Sequence, residues 1–404
     1  MKIVFVSNYI NHHQIPFCEA MRTQEGVDFT FVQTEKIEEE RLQMGWKDVS
    51  DKLSYVVRMY DDPKAAQSLI LQCDILLAGW APAAEEVIST RLIAGLPTFR
   101  LSERIYKDGQ WKAVSPRGLL MKHRQFTRFA DKPYYLLCAG AYVGSDYALI
   151  HAFPEKKFRW GYFPPLFSYM SSQMEELKEE GRKVAAAATG SRDAVEVTWA
   201  GRFVDFKHPE TIFRLAKDLA AVGVRFHLNV AGGGDKEDEY RAFLQENGLE
   251  KVVTIHGLTS PETVRKIMEK SAVFILTSDH GEGWGAVVNE AMNSGCAVIA
   301  GAEAGCVPYL VKPGVTGMIV NGTDYQDLYE KTRYLLEHPD LQLRYGKAGY
   351  RAVQEVWNAE TAARRLAAVC RKIMAGEDIR TDLPGNGPMS VDPCLKPFLK
   401  VPRL

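Results

Sequence analysis

Short apolar, β-branched runs alternate along the chain with longer stretches whose apolar positions recur at helical spacing. In the first part the runs are Ile3–Ser7, Phe29–Val32, Tyr55–Arg58, Asp74–Ala78, Thr98–Leu101 and Tyr134–Cys138. Helical patterns such as Ile15–Thr23, Pro63–Gln72 and Ala83–Ala94 lie between them. Strand, helix, strand at this spacing predicts a parallel sheet covered on both faces. The opening run, Met1–Asn8, is too brief for the apolar region of a signal peptide and lacks a cleavage site, so it reads as a buried first strand. Near 153–171 the alternation breaks at Phe153-Pro154 and Trp160–Pro165, and a polar helical stretch, Ser171–Ala188, follows. The pattern then restarts, with runs at Val195–Ala200, Arg225–Ala231, Val252–His256, Val273–Thr277, Ala297–Ala300 and Gly317–Val320. Helical patterns at 208–221, 237–247, 261–270, 285–294 and 324–337 separate them. The organisation predicted is a first α/β domain over 1–165, a second over 166–340, a helical segment over 341–375 and an irregular Pro-rich tail over 376–404. The helical segment is expected to pack back toward the first domain.

Composition narrows the class. A length of 404 residues suits two or three domains. With 46% apolar and 25% charged residues, disorder, collagen and a coiled coil are excluded. Lys and Arg number 50 against 51 Asp and Glu, so no basic excess points to nucleic acid. Seven scattered cysteines without a CxxC pair argue against a disulfide framework or a zinc knuckle and for a reducing cytoplasm. No uninterrupted apolar run reaches the ~18 residues that a membrane span needs.

In a doubly wound sheet, ligands bind on the loops that follow the strands. Three such loops carry candidate chemistry. Ser278–Met292 follows a strand and opens a helix, and Gly281, Gly283 and Gly285 permit close backbone approach while the new helix offers free N–H groups to an anion. Glu282 in the loop and Glu290 in the helix could bracket a polyhydroxyl ligand; the plain alternative is a helix-dipole glutamate beside a solvated one. Arg202 and Lys207, on another strand-to-helix loop, suit a diphosphate, or are two exposed cations. Gly232-Gly233-Gly234 follows a third strand and by itself is a flexible turn.

Taken together, these loops resemble the second domain of retaining nucleotide-sugar glycosyltransferases of the GT-B fold, and more narrowly their family-four, or group 1, members. The likeness runs from about Val195 to Glu337. It rests on the E-x7-E spacing of Glu282 and Glu290, on Gly201-Arg202 with Lys207, and on Gly305-Cys306-Val307-Pro308, which looks like the family's GGxP loop. The resemblance implies an α/β protein of two Rossmann-like domains facing across a cleft. It implies that Arg202 and Lys207 neutralise the departing diphosphate, that Glu290 holds the ribose and that Glu282 contacts the donor sugar. Gly201, Gly233, Gly283, Trp284, Gly285 and Ala286 would complete the donor site. It also implies retention of configuration, and no cofactor or metal: two cations and a helix terminus take the metal's place, and neither Asp61-Asp62 nor Asp235 with Asp238 makes a DxD motif. The donor is expected to be a nucleotide sugar and the acceptor a glycan or a lipid-linked hydroxyl, in polysaccharide or glycolipid assembly.

This chain departs from the family pattern in places. Three residues, Asp279-His280-Gly281, stand between Ser278 and Glu282 where two are commoner. The fifth strand ends Leu101-Ser102-Glu103-Arg104, without the family's histidine. Glu103 is the nearest replacement, as a catalytic sugar contact or as half of a structural pair with Arg104. The first loop is polar rather than Gly-rich, and Asn11, His12 and His13 are acceptor-site candidates; alternatively Asn11 and its neighbours cap the following helix. The segment 116–132 places Arg117, Arg124, Arg128 and Lys132 opposite Leu119, Phe126, Phe129 and Ala130 on a helical wheel. It would lie on anionic lipid at the inner face of the membrane, or turn its apolar side into the core. Two other functions fit less well: a GT-B-like epimerase, for which no proton-abstracting trio stands out, and a non-catalytic nucleotide-sugar-binding subunit. An NAD-dependent dehydrogenase is disfavoured because no G-x-G-x-x-G follows the first strand.

Overall fold

The computed structural model describes residues 1–43 and 47–397. The chain forms two compact units, one of 1–165 with 356–397 and one of 166–355. The first contains β1 (Lys2–Ser7), α1 (Ile15–Arg22), β2 (Asp28–Gln33), α2 (Glu39–Gln43), β3 (Val56–Arg58), α3 (Pro63–Gln72), β4 (Ile75–Ala78), α4 (Glu85–Ile93), β5 (Thr98–Ser102), α5 (Pro116–Gln125), β6 (Tyr134–Ala139), α6 (Val143–Leu149) and β7 (Lys157–Trp160). All seven strands are parallel, in the order β3-β2-β1-β4-β5-β6-β7. The order reverses between β1 and β4, the switch point at which such sheets bind ligands.

The second unit contains α7 (Ser171–Thr189), β8 (Val195–Ala200), α8 (Pro209–Ala221), β9 (Phe226–Ala231), α9 (Glu237–Glu246), β10 (Val253–Gly257), α10 (Pro261–Lys270), β11 (Val273–Leu276), α11 (Ala286–Asn293), β12 (Ala297–Gly301), α12 (Val307–Leu310), β13 (Gly317–Val320), α13 (Tyr325–Leu336) and α14 (Pro339–Glu355). Its six parallel strands run β10-β9-β8-β11-β12-β13, with the reversal between β8 and β11. The core of this unit gathers Val195, Val197, Trp199, Leu228, Val230 and Ile275 from one face of the sheet with Ile212, Phe213 and Leu219 of α8. Prolines open α3, α5, α8 and α10, where a missing N–H costs nothing and the fixed φ suits the first turn.

Three elements differ from the sequence pattern. β7 lies inside the stretch read as a break. The helical segment expected over 341–375 is two helices, because Asn358 leaves the helical region and its Oδ1 accepts the Thr361 N–H at 2.7 Å, capping α15 (Ala359–Ala375). α14 belongs with the second unit and α15 with the first, where it packs on α1. The wheel over 116–132 is not one helix: α5 stops at Gln125 and a 3-10 turn covers Thr127–Phe129. Phe126 and Phe129 enter the core from that turn, while α5 itself buries no residue. The tail is irregular from Gly376 onward, and its last residues, 398–404, lie outside the described residues.

Candidate functional site

The loop after β8 starts at Gly201 and Arg202, turns through Asp205–Lys207 and reaches α8 through His208, whose backbone is left-handed at φ 48°. The loop after β11 runs from Thr277 to Gly285. The two loops are tied together repeatedly. The Asp279 N–H donates to the Phe206 carbonyl at 2.9 Å, and the Thr277 hydroxyl donates to the Lys207 carbonyl. Lys207 Nζ lies 2.6 Å from Glu282 Oε2, with both side chains only 14% exposed. The Ser278 hydroxyl donates to the same carboxylate oxygen at 3.0 Å. The sequence-predicted cation and carboxylate are thus in direct contact, on loops joined to neighbouring strands.

Backbone geometry explains two of the glycines. Gly285 has φ 91°, a conformation that L side chains rarely adopt, and it precedes the eight-residue helix α11. Gly232 has φ 148°, and a Cβ there would stand 1.8 Å from the Gly201 carbonyl oxygen. The glycine triplet is therefore a close packing of two loops rather than a loose turn. The Gly201 N–H donates to the Ala231 carbonyl, and the Phe203 N–H to that of Gly233. Gly283, Gly285 and Ala286 lead into α11, and Glu290 sits one turn inside it, partly exposed. Trp284 is buried at 1% exposure, and its indole donates to Asn289 Oδ1 at 2.9 Å, so what it offers a ligand is backbone. Cys306, in the GGxP-like loop, donates its backbone N–H to the Trp284 carbonyl at 2.9 Å, and burial aided by the Glu282 charge raises its thiol pKa well above the usual value.

Sequence reasoning passed over His208 and Asp279. His208 Nε2 is 3.0 Å from Asp279 Oδ2, and its Nδ1 is 3.0 Å from Glu210 Oε1. Hydrogen bonding to Asp279, against partial burial, raises the histidine pKa. Asp279, despite its own burial, is lowered by His208 and by the Gly281 N–H, which it accepts at 2.7 Å. The signal was the additional residue between Ser278 and Glu282, together with a histidine directly after Lys207. A cavity of about 600 Å3 lies beside His208, bordered by Arg214, Thr277 and Asp324.

In the first unit a cavity of about 650 Å3 opens at the C-terminal ends of β1, β4 and β5. It brings together Asn11, His13 and Glu103 with Trp80, Arg100 and Tyr162; His12 is not in its lining. Asn11 Oδ1 accepts the His13 N–H at 3.0 Å and its carbonyl accepts from Gln14 and Ile15, so it shapes the turn into α1. The His12 imidazole is pushed down to about 3 by burial and by the adjacent His13. Glu103 accepts from Tyr162 at 2.7 Å and from Lys107 at 2.8 Å. The alternative pairing of Glu103 with Arg104 is not formed, because Arg104 turns inward onto the fully buried Asp146. Arg100 is held by Glu85 through two bonds of 2.7 and 2.9 Å. Met121 and Lys122 of α5 reach the same cavity. Beside it, Trp111, Val114, Leu119, Leu120 and Met121 are exposed, at 71%, 78%, 40%, 52% and 52%. No acidic residue occurs between 109 and 130. Among the described residues no helix is long and apolar enough to cross a membrane.

Residues 187–352 match the family model of glycosyl transferases group 1. The chain is 28% identical over 188 residues to a D-inositol 3-phosphate glycosyltransferase of Corynebacterium aurimucosum, covering 45% of this chain and 44% of that protein. It is 24% identical over 204 residues to the alpha-D-kanosaminyltransferase of Streptomyces kanamyceticus, 50% of this chain and 52% of that one. The chain thus spans about half the length of the curated relatives it matches. Among solved structures, Anabaena Alr3699/HepE in complex with UDP and glucose superposes with a TM-score of 0.63 at 15% identity, over 92% of this chain and 100% of that one. The sucrose-phosphate synthase of Thermosynechococcus elongatus gives 0.63 at 15%, over 93% and 100%. At such identities the likeness shows the fold, two Rossmann-like domains.

Proposed function

We propose that the chain, whose residues 187–352 match the family model of glycosyl transferases group 1, moves a sugar from a nucleoside-diphosphate donor to a hydroxyl acceptor with retention of configuration and without a metal. The observation that carries this reading is the Lys207–Glu282 pair, 2.6 Å apart at the switch point of the second sheet. Arg202 and Lys207 meet the diphosphate, which competes with Glu282 for the ammonium. Glu282, so released, turns to the donor sugar, and Glu290 accepts from the ribose hydroxyls. In the reaction the bond from the anomeric carbon to the phosphate oxygen breaks, the acceptor oxygen bonds to that carbon, and its proton passes to the departing phosphate. The developing charges are a cationic sugar and an anionic diphosphate, and fixed cations beside the diphosphate lower the barrier.

The acceptor is proposed to enter the cavity bordered by Asn11, His13 and Glu103, with Glu103 as its contact to the reacting sugar. The exposed apolar and basic surface of α5, adjoining that cavity, supports a lipid-linked acceptor met at the inner face of a membrane. The cysteines, free and mostly buried, suit a reducing compartment such as the cytoplasm.

Glu290→Ala and Glu282→Ala test the role assignment. Glu290→Ala should weaken both donor and bare nucleoside diphosphate, by about 1.5–3 kcal/mol for a hydrogen bond to a charged group. Glu282→Ala should leave the bare diphosphate nearly unchanged and lower turnover. Calorimetric titration with UDP, GDP and ADP and their sugars, paired with transfer rates in excess EDTA, reads both. Equal weakening of the bare diphosphate by the two variants refutes the assignment, and a rate abolished by EDTA and restored by magnesium refutes the metal-free reaction.

A further inference from the structure

Two peculiarities of the second unit meet at one point. His208 holds a left-handed backbone, with φ 48° and ψ 53°, although it is neither glycine nor asparagine. Such a conformation costs free energy and persists where side-chain contacts over-determine it. Its imidazole makes no capping bond to α8; it reaches across to Asp279, in the stretch between Ser278 and Glu282 that is one residue longer than usual. Asp279 in turn fixes that loop. Its Oδ1 accepts the Gly281 N–H at 2.7 Å, its carbonyl accepts the Glu282 N–H at 3.1 Å, and its own N–H reaches the Phe206 carbonyl at 2.9 Å. Lys207 stands directly before the histidine, and Glu282 three residues after the aspartate.

We infer that His208 is a positioning residue whose bond to Asp279 clasps the Arg202–Lys207 loop to the Glu282 loop and sets the distance between cation and carboxylate in the donor site. This rests on the reading that Lys207 and Glu282 meet the donor, and it adds a residue outside the family pattern, together with a pH dependence. The imidazole contacts Glu210 on α8 and Asp279 on the facing loop, and it shares its cavity with Arg214 on α8 and with Asp324 and Tyr325 at the start of α13; Asp205 and Lys207 lie on the turn before it, and His280 follows Asp279. Those in hydrogen-bond contact with it, Asp279 and Glu210, are both acids. The raised histidine pKa means that the clasp is fully present below the ordinary imidazole range and is lost as pH rises through the folded value. The lowered Asp279 pKa means that it is also lost as pH falls through that group's folded value. The clasp therefore holds between the two.

The test is the pH dependence of UDP, GDP and ADP binding by wild type, His208→Gln, Asp279→Asn and His208→Lys, with hydrogen exchange of the 278–285 peptide read in parallel. Wild type should bind one of the nucleotides with an alkaline loss. His208→Gln and Asp279→Asn should each bind about tenfold more weakly at pH 6 and lose that limb, as expected for partners in one hydrogen-bonded network. His208→Lys should keep the low-pH affinity and move the limb upward, which a purely structural role would not do. Unchanged affinity and an unchanged limb in His208→Gln overturn the clasp while leaving the donor site standing. If wild type binds none of the nucleotides, the donor reading itself fails, and exchange decides the clasp: faster exchange of 278–285 in His208→Gln and Asp279→Asn supports it, and unchanged exchange overturns it.

Discussion

Lys178 projects from α7 into the second unit, where its ammonium donates to the carbonyls of Met268, Ser271 and Ser294 at 3.1, 2.5 and 2.7 Å. These carbonyls lie at the ends of α10 and α11, where helices leave acceptors short of intrahelical donors, although that of Met268 also accepts the Ser271 N–H at 3.0 Å. Burial lowers the lysine pKa, so the charge is held at a desolvation cost that three hydrogen bonds offset. Lys178→Met should destabilise the unit by about 3 kcal/mol, because three buried carbonyls lose a charged donor, and those of Met268 and Ser271 keep only weaker ones from the Ser271 N–H and the Cys296 thiol. A urea midpoint shifted to that extent, with an unchanged slope, is the expected result; a shift below about 0.5 kcal/mol, the scale of exposed pairs such as Lys347–Glu175, refutes it. Glu103 and Arg104 make the complementary point. Adjacent in sequence and opposite in charge, they diverge because successive side chains at a strand end point to opposite sides. One enters the cavity, and the other enters the core to meet Asp146, an assignment that charge alone could not make.

Strands with continuous β-branched runs were legible because both faces of a parallel sheet are buried, and every such run became a strand. β7 was not, since its Lys-Phe-Arg-Trp sequence alternates polar with apolar at an edge and lies among prolines. The candidate loops after β8 and β11 were legible through glycine, cation and carboxylate spacing. The clasp was not, because His208 and Asp279 are 71 residues apart in sequence and only the fold joins them. α5 was misread for a related reason: one wheel was drawn through a helix and the 3-10 turn that follows it, crediting Phe126 and Phe129 to an apolar face that α5 does not share. What α5 does present is Leu119, Leu120 and Met121 to solvent among Arg117, Lys122 and Arg124. Replacing Leu120 and Met121 with Gln should reduce sedimentation with vesicles of phosphatidylglycerol and leave the thermal midpoint unchanged, since no buried residue of the helix is touched. Equal sedimentation of variant and wild type would refute lipid contact through this helix.

At the scale of the whole molecule, the chain leaves the first unit near Pro165 and returns at Val356. The returning segment is built into that unit rather than appended to it. α15 buries Ala359, Ala362, Ala363, Leu366, Ala367, Val369 and Cys370, and it packs on α1. Beyond it, the Met389 N–H donates to the Arg159 carbonyl at 2.9 Å, the Arg159 N–H to Ser390 at 2.8 Å and the Asp392 N–H to Lys157 at 3.1 Å. These bonds give the edge of β7 an antiparallel partner through Phe158 and Val391. Deleting the chain from Val356 onward would expose α1 and reopen that edge. Loss of Leu366 and Val369 alone forfeits about 3–6 kcal/mol of burial, a large share of the roughly 5–15 kcal/mol that holds a domain folded. The second unit keeps α14, its sheet and its core intact in such a truncation. Limited proteolysis should therefore cleave the first unit rapidly while a fragment spanning 166–355 survives. Calorimetry should show one transition lowered or absent and the other retained. Equal protection of both units would mean that residues 1–165 fold without the returning segment, and that α15 covers a surface already stable by itself.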